Sequence, residues 1–256
     1  MLPVISALEG FPLDSTDGRI GVVTDFLFDD ASWRVRWLVV ECGVWLKGRK
    51  VLIPPSAVAP FRLDDQRFDT KLTRAQVAAG PELSDDEPVS QQMEQRAYSS
   101  YSLAPEWDSP YLGGLPGAIS SEFVTAPYFG IGEEELAGAG GVAEPQGDSH
   151  LRSVKEVTGY HIRARDGTVG HVENFLLDLE TWKLRYFVVD TRNWGFGKHV
   201  LMSFTAVTGI QWSDREVALD VTREQVKSSP TWDPLVGFDE LQRHDLHEHY
   251  GWPGAV

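Results

Sequence analysis

The strongest constraint in this 256-residue sequence is that it contains itself twice. Residues 10–21 return as residues 159–170, with Gly10, Asp17-Gly18 and Gly21 matched by Gly159, Asp166-Gly167 and Gly170. The offset of 149 holds without a gap. It pairs Phe26-Leu27 with Phe175-Leu176, Asp29 with Asp178, Trp33 with Trp182, and Arg36 with Arg185. It continues through Trp45 with Trp194, Gly48 with Gly197, Thr73-Arg74 with Thr222-Arg223, and Pro81 with Pro230. About one third of the positions between 10 and 81 are identical to their counterparts, which chance does not produce. The chain is two copies of one unit. Paired glycines, tryptophans and aliphatics are read first as packing residues.

One unit reads as short strands. Asp17-Gly18 and Asp166-Gly167 sit between apolar runs, the pattern of a tight hairpin. The runs 20–28 and 169–177 follow, and Gly21 and Gly170 at their starts mark a bulge or sharp bend. Asp29-Asp30-Ala31-Ser32 and Asp178-Leu179-Glu180-Thr181 are turns. Residues 33–41 and 182–190 are central strands with both faces partly apolar. Further strands are expected at Lys50-Val51-Leu52-Ile53, Phe61-Arg62-Leu63 and Arg67-Phe68-Asp69-Thr70, and at the matching places in the second copy. Thr73 and Thr222 cap helices over 74–79 and 223–228, stopped by Pro81 and Pro230. Second helices are expected over 90–101, capped by Ser90, and over 238–250, capped by Asp239 and ended by Gly251. The fold expected is mainly β: two small antiparallel barrels, each followed by short C-terminal helices. The first unit occupies 1–104 and the second 151–256.

Between them, residues 105–150 hold eight acids and no lysine or arginine, a net −8 out of −15 for the chain. With Gly113-Gly114, Pro116-Gly117 and Gly138-Ala139-Gly140-Gly141, this stretch reads as a flexible acidic linker. Its aromatics, Tyr111 and Phe129 among them, are candidate docking residues. No basic stripe appears, so direct nucleic-acid binding lacks its electrostatic driving force. No apolar run is long enough to span a bilayer, no signal-peptide pattern opens the chain, and the single Cys42 has no disulfide partner. A cytoplasmic setting is expected.

These residues resemble the PRC-barrel family, known from the photosynthetic reaction-centre H subunit and from a ribosome-maturation factor. The resemblance rests on Gly-x-Pro-Leu near the start, Asp-Gly-x-x-Gly, and the strand Arg36-Trp37-Leu38-Val39-Val40. It also rests on Val51-Leu52-Ile53-Pro54, Leu72-Thr73-Arg74-Ala75-Gln76-Val77 and the ending Tyr250-Gly251. It implies the barrel fold and a role in protein contacts, with no agreed catalytic residues and no cofactor. The function expected is a non-enzymatic binding, scaffold or regulatory protein. It acts on a protein partner, with the two barrels paired within the chain or the whole protein forming a homodimer. An accessory of photosynthetic or membrane electron transfer is a second reading. There the acids Asp25, Asp29, Asp30, Glu41, Glu173, Asp178 and Asp190 would carry protons. A ribosome-assembly factor acting through a ribosomal protein is a third.

Trp45 and Trp194, near strand ends, are candidate partner anchors. His244, His247 and Glu248 fall on one side of a helix, the spacing a transition-metal site uses, although a solvated polar face is the simpler reading. Cys42 has no paired histidine in the other copy to act as its base.

Overall fold

A computed structural model describes residues 2–60, 65–83, 89, 91–103, 150–192, 197–234 and 236–253. The expected linker, with Tyr111 and Phe129, lies outside the described residues apart from His150. So do Trp194, Ser90 and the strand expected at Phe61-Arg62-Leu63.

The chain is mainly β. In the first unit, β1 (Pro12–Ser15) and β2 (Gly18–Asp29) form the hairpin set by Asp17-Gly18. β3 (Arg34–Cys42) pairs with β2 and with β4 (Lys50–Ile53). β5 (Phe68–Asp69) returns parallel to β1, and it is only two residues long, shorter than the four expected. The helix α1 (Arg74–Ala79) opens on a capping box in which Thr73 and Gln76 bond each other's backbone. A short strand β6 (Glu82–Leu83) lies against β4, and α2 (Gln91–Tyr101) follows.

The second unit repeats the plan. β7 (Leu151–Ser153) and the one-turn helix α3 (Val154–Val157) lead into β8 (His161–Ala164), β9 (Gly167–Asp178), β10 (Lys183–Asp190) and β11 (His199–Ser203). β12 (Val207–Gln211), β13 (Glu216–Leu219), α4 (Arg223–Ser228) and α5 (Glu240–Tyr250) complete it. The helices keep the repeat register: Tyr101 and Tyr250 both end their helices and both point into the core.

The paired strands run β12-β13-β8-β9-β10-β3-β2-β1-β5 through both units, and among the described residues this path does not close on itself. Buried residues of the two units make one continuous core that includes Trp37, Phe26, Phe28, Phe175 and Phe187. Burying such aromatics is the largest favourable term holding the units together.

Three identities between the copies have visible causes. Asp29 and Asp178 cap their turns: Oδ1 of Asp29 accepts the Ser32 N–H at 2.7 Å, and Oδ1 of Asp178 accepts that of Glu180 at 3.0 Å. Arg36 and Arg185 reach back to the same aspartates, at 3.8 and 3.1 Å. Gly21 and Gly170 sit where β1–β2 and β8–β9 shift register, and the backbone of the next strand crosses them closely. A Cβ on Gly21 would lie 1.9 Å from the Glu41 carbonyl, and one on Gly170 2.1 Å from that of Asp190. Gly209, by contrast, has open space where a Cβ would go. Gly21→Ala and Gly170→Ala are each expected to destabilise the protein by about 1–3 kcal/mol, while Gly209→Ala is near neutral. Urea midpoints separate these outcomes, and equal midpoints for all three would refute the crossing geometry.

Candidate interaction site at the seam between the repeats

The two units meet through a reciprocal backbone contact. The N–H of Val35 donates to the carbonyl of Trp182, and the N–H of Leu184 donates to the carbonyl of Trp33, each at 2.8 Å. Val35 and Leu184 are repeat equivalents, as are the two tryptophans, and Arg34 faces its own equivalent, Lys183. The contact is the self-complementary kind that joins two-fold dimers, here within one chain. Trp33 and Trp182 both adopt the left-handed conformation, with φ of 59° and 54°, which non-glycine residues rarely do. That turn aims their carbonyls across the seam. The sequence reads both as packing residues; they are half-buried, pack against the core and also line the joint. Trp33 stacks on Phe28 of its own unit and on Phe204 of the other, at centroid distances of 5.7 and 4.1 Å.

The segments leading into each unit are exchanged across this joint. β7, which opens the second unit, pairs with β2 of the first. Pro3 and Val4, which open the first, pair with β9 of the second. The equivalents Asp25 and Asn174 receive the arms in the same way. Asp25 Oδ1 accepts the backbone N–H of Lys155 at 3.4 Å, and Asn174 Oδ1 accepts that of Ser6 at 3.3 Å. Ser153 Oγ donates to Asp25 Oδ2 at 2.5 Å, and Asn174 Nδ2 donates to Ser6 Oγ at 2.6 Å.

Two clefts open along the seam, with Trp33 in the wall of both. One, of about 590 Å³, runs beside β12 and is walled by Trp33, Phe204, Ile210 and Trp212. At its mouth Asp30 holds His150 at 2.8 Å and Arg152 at 3.2 Å, and the Arg152 guanidinium lies 4.1 Å over the Trp212 ring. The other, of about 490 Å³, lies under α5 and is lined by Lys183, Arg185, Tyr186, Arg243 and His247. Among the described residues β12 has a single strand neighbour, β13, and its residues Val207, Thr208, Gly209 and Ile210 line the first cleft.

The structure separates the residues expected to act together. His247 turns inward: its Nδ1–H donates to the Pro253 carbonyl, and its Nε2 accepts the Tyr186 hydroxyl proton, both at 2.7 Å. His244 and Glu248 stay on the outer face, 4.0 Å apart and mostly exposed. These three therefore do not converge on one ion, because α5 packs on Tyr186 with the very face that carries His247. Trp45 is tied to its own unit, its Nε1–H donating to the Ile20 carbonyl at 2.6 Å and its ring lying 5.1 Å from the Arg74 guanidinium. Cys42 is buried, and burial pushes its thiol up to about 11, so it carries no thiolate at neutral pH.

One group that can hold a metal went unread in the sequence. Glu173, Asp190 and His199 each place a donor atom within 4.8 Å of the others. The sequence offers Glu173 and Asp190 only as proton-carrying acids, and His199 only within the strand that matches Lys50-Val51-Leu52-Ile53. Arg192 makes a two-pronged contact with Asp190, its closest nitrogen at 2.7 Å, and holds that carboxyl down to about 2.

A model of the PRC-barrel domain matches residues 5–77 and again residues 151–226, together more than half of the chain. The chain belongs to the PRC-barrel family. The second matched segment begins with β7, which pairs with β2 of the first unit, and the first begins at Ile5, just after the Pro3-Val4 contact with β9. A search of curated proteins finds no match. No helix among the described residues is long and apolar enough to cross a membrane.

Burial pushes the Asp25 carboxyl above its ordinary range, against the pull of hydrogen bonds from Ser153, Phe26 and Lys155. The folded protein therefore keeps this proton to higher pH than the unfolded chain. The stability it contributes is complete below the unfolded value and is lost as pH rises through the folded one. Asp25→Asn copies the Asn174 of the other unit and removes that loss. Its melting temperature relative to the parent is expected to be higher at pH 7 than at pH 4. A difference that is flat or reversed across that range would show that Asp25 does not titrate in the arm contact.

Proposed function

We propose that this protein is a non-enzymatic protein-binding scaffold, and that its recognition element is the cleft along β12, which takes an extended segment of a partner. Membership of a family of interaction modules supports the class of function. The observation that carries the location is the difference between the two copies at one backbone edge. The residue matching Gly209 in the first unit is Pro60, which lacks the N–H that a new strand needs. β12 carries Gly209 there, beside a wall of Trp33, Phe204 and Trp212. A strand added at an open edge gains affinity from backbone hydrogen bonds and selectivity from side-chain pockets. The aromatic wall suits an apolar side chain, and Arg152 at the mouth suits an acidic one.

In this reading each unit curls toward the barrel that names the family. The parallel returns of β5 onto β1 and of β13 onto β8 support that curl. The arm exchange makes the pair of units one rigid platform.

Gly209→Glu tests the site with little risk to the fold, because a side chain there meets open space. Proteins captured by the intact chain and identified by mass spectrometry are expected to be lost with Gly209→Glu and with Trp212→Ala, while melting of the Gly209→Glu protein stays unchanged. Capture of the same proteins by both variants would overturn the proposed location. Failure of the intact chain to retain any protein reproducibly would overturn the proposed function.

A further inference from the structure

We propose that Glu173, Asp190 and His199 form a binding site for a divalent transition metal, with His171 as the fourth ligand and Zn²⁺ as the ion that fits best. The site is independent of the β12 cleft.

The three principal ligands stand on three neighbouring strands. Glu173 comes from β9, Asp190 from β10 and His199 from β11, and the ladder pairs Asp190 directly with His199. Their donor atoms lie within 4.8 Å of one another. His171 is the ladder partner of Asp190 on β9, and it brings its Nε2 to 3.8 Å from Oδ2 of Asp190. The combination of two imidazoles and two carboxylates suits zinc and its first-row neighbours, whereas calcium and magnesium favour oxygen alone. A zinc ion holds its ligands at about 2.0–2.2 Å, so the donor atoms of Glu173, Asp190 and His199 must draw inward, and the His171 side chain must swing in to join them.

The first unit serves as an internal control. The four equivalent positions there are Val22, Thr24, Glu41 and Lys50. The ladder pairs Glu41 with Lys50 just as it pairs Asp190 with His199. A carboxylate facing a lysine needs no added ion. In the second unit the lysine has become an imidazole, and the valine and threonine have become histidine and glutamate.

His199 points the same way. Its Nε2 is shielded from solvent and lies 3.1 Å from Oε2 of Glu173, yet the angle between them makes no hydrogen bond. A shared cation between the two atoms satisfies both. Arg192 is the competing charge, 2.7 Å from Asp190 and 3.9 Å from Glu173. Its side chain is more than half exposed, so it can swing away as the metal enters.

Titration of the full chain with ZnCl₂, followed by calorimetry and by metal analysis after dialysis, tests the site. One Zn²⁺ per chain is expected. His199→Lys, which restores the residue of the first unit, and Glu173→Gln are expected to weaken binding by about tenfold or more. Arg192→Ala is expected to tighten it, and His244→Gln to leave it unchanged. Co²⁺ in place of zinc should show visible d–d bands that vanish in His199→Lys. Absence of zinc binding by the intact chain would overturn the proposal. So would binding that persists in His199→Lys and Glu173→Gln, or that disappears in His244→Gln.

Discussion

Two backbone hydrogen bonds, from Val35 to Trp182 and from Leu184 to Trp33, set the relation between everything else in the molecule. Each contributes only about 1 kcal/mol. Their importance is geometric, because they place the two-fold relation between Arg34 and Lys183 and bring β3 and β10 edge to edge. Once that register is fixed, Phe204 reaches Trp33, the arms reach the opposite long strands, and the two clefts open on either side of the tryptophan. The unusual backbone of Trp33 and Trp182 follows from the same requirement. A strained turn persists where the surroundings over-determine it, and here a stacked ring and an intermodule hydrogen bond both hold it.

Much of the fold was legible in the sequence because it is governed by local rules. Asp17-Gly18 and Asp166-Gly167 turn where a hairpin with positive φ must turn, and Thr73, Thr222 and Asp239 cap helices within reach of their own side chains. What stayed hidden was what each element packs against. Periodicity marks Trp33 and Trp182 as apolar, and does not distinguish a core residue from one at a joint. The arms precede the well-matched part of the repeat, so nothing in the matching flagged residues 3–8 or 150–157 as exchanged arms.

The same limit shaped the reading of sites. His244, His247 and Glu248 share a helical face by arithmetic, but arithmetic says nothing of Tyr186, which claims His247. Glu173, Asp190 and His199 are far apart along the chain and meet only through strand register. The signal for them was present in the comparison of the two copies, carried by their differences. Identities between the repeats report what the fold requires. Positions such as Val22 and His171, or Lys50 and His199, report what one copy does that the other does not.

The exchanged arms also bear on how such a chain comes off the ribosome. When the first unit has emerged, the strand that completes β2 has not yet been made, since residues 151–153 follow it by more than a hundred positions. Until then the nascent unit presents an open edge, and Asp25 on that edge places a carboxyl where premature strand pairing with another chain would otherwise be easiest. Synthesis of the second half is thus the step that closes the first.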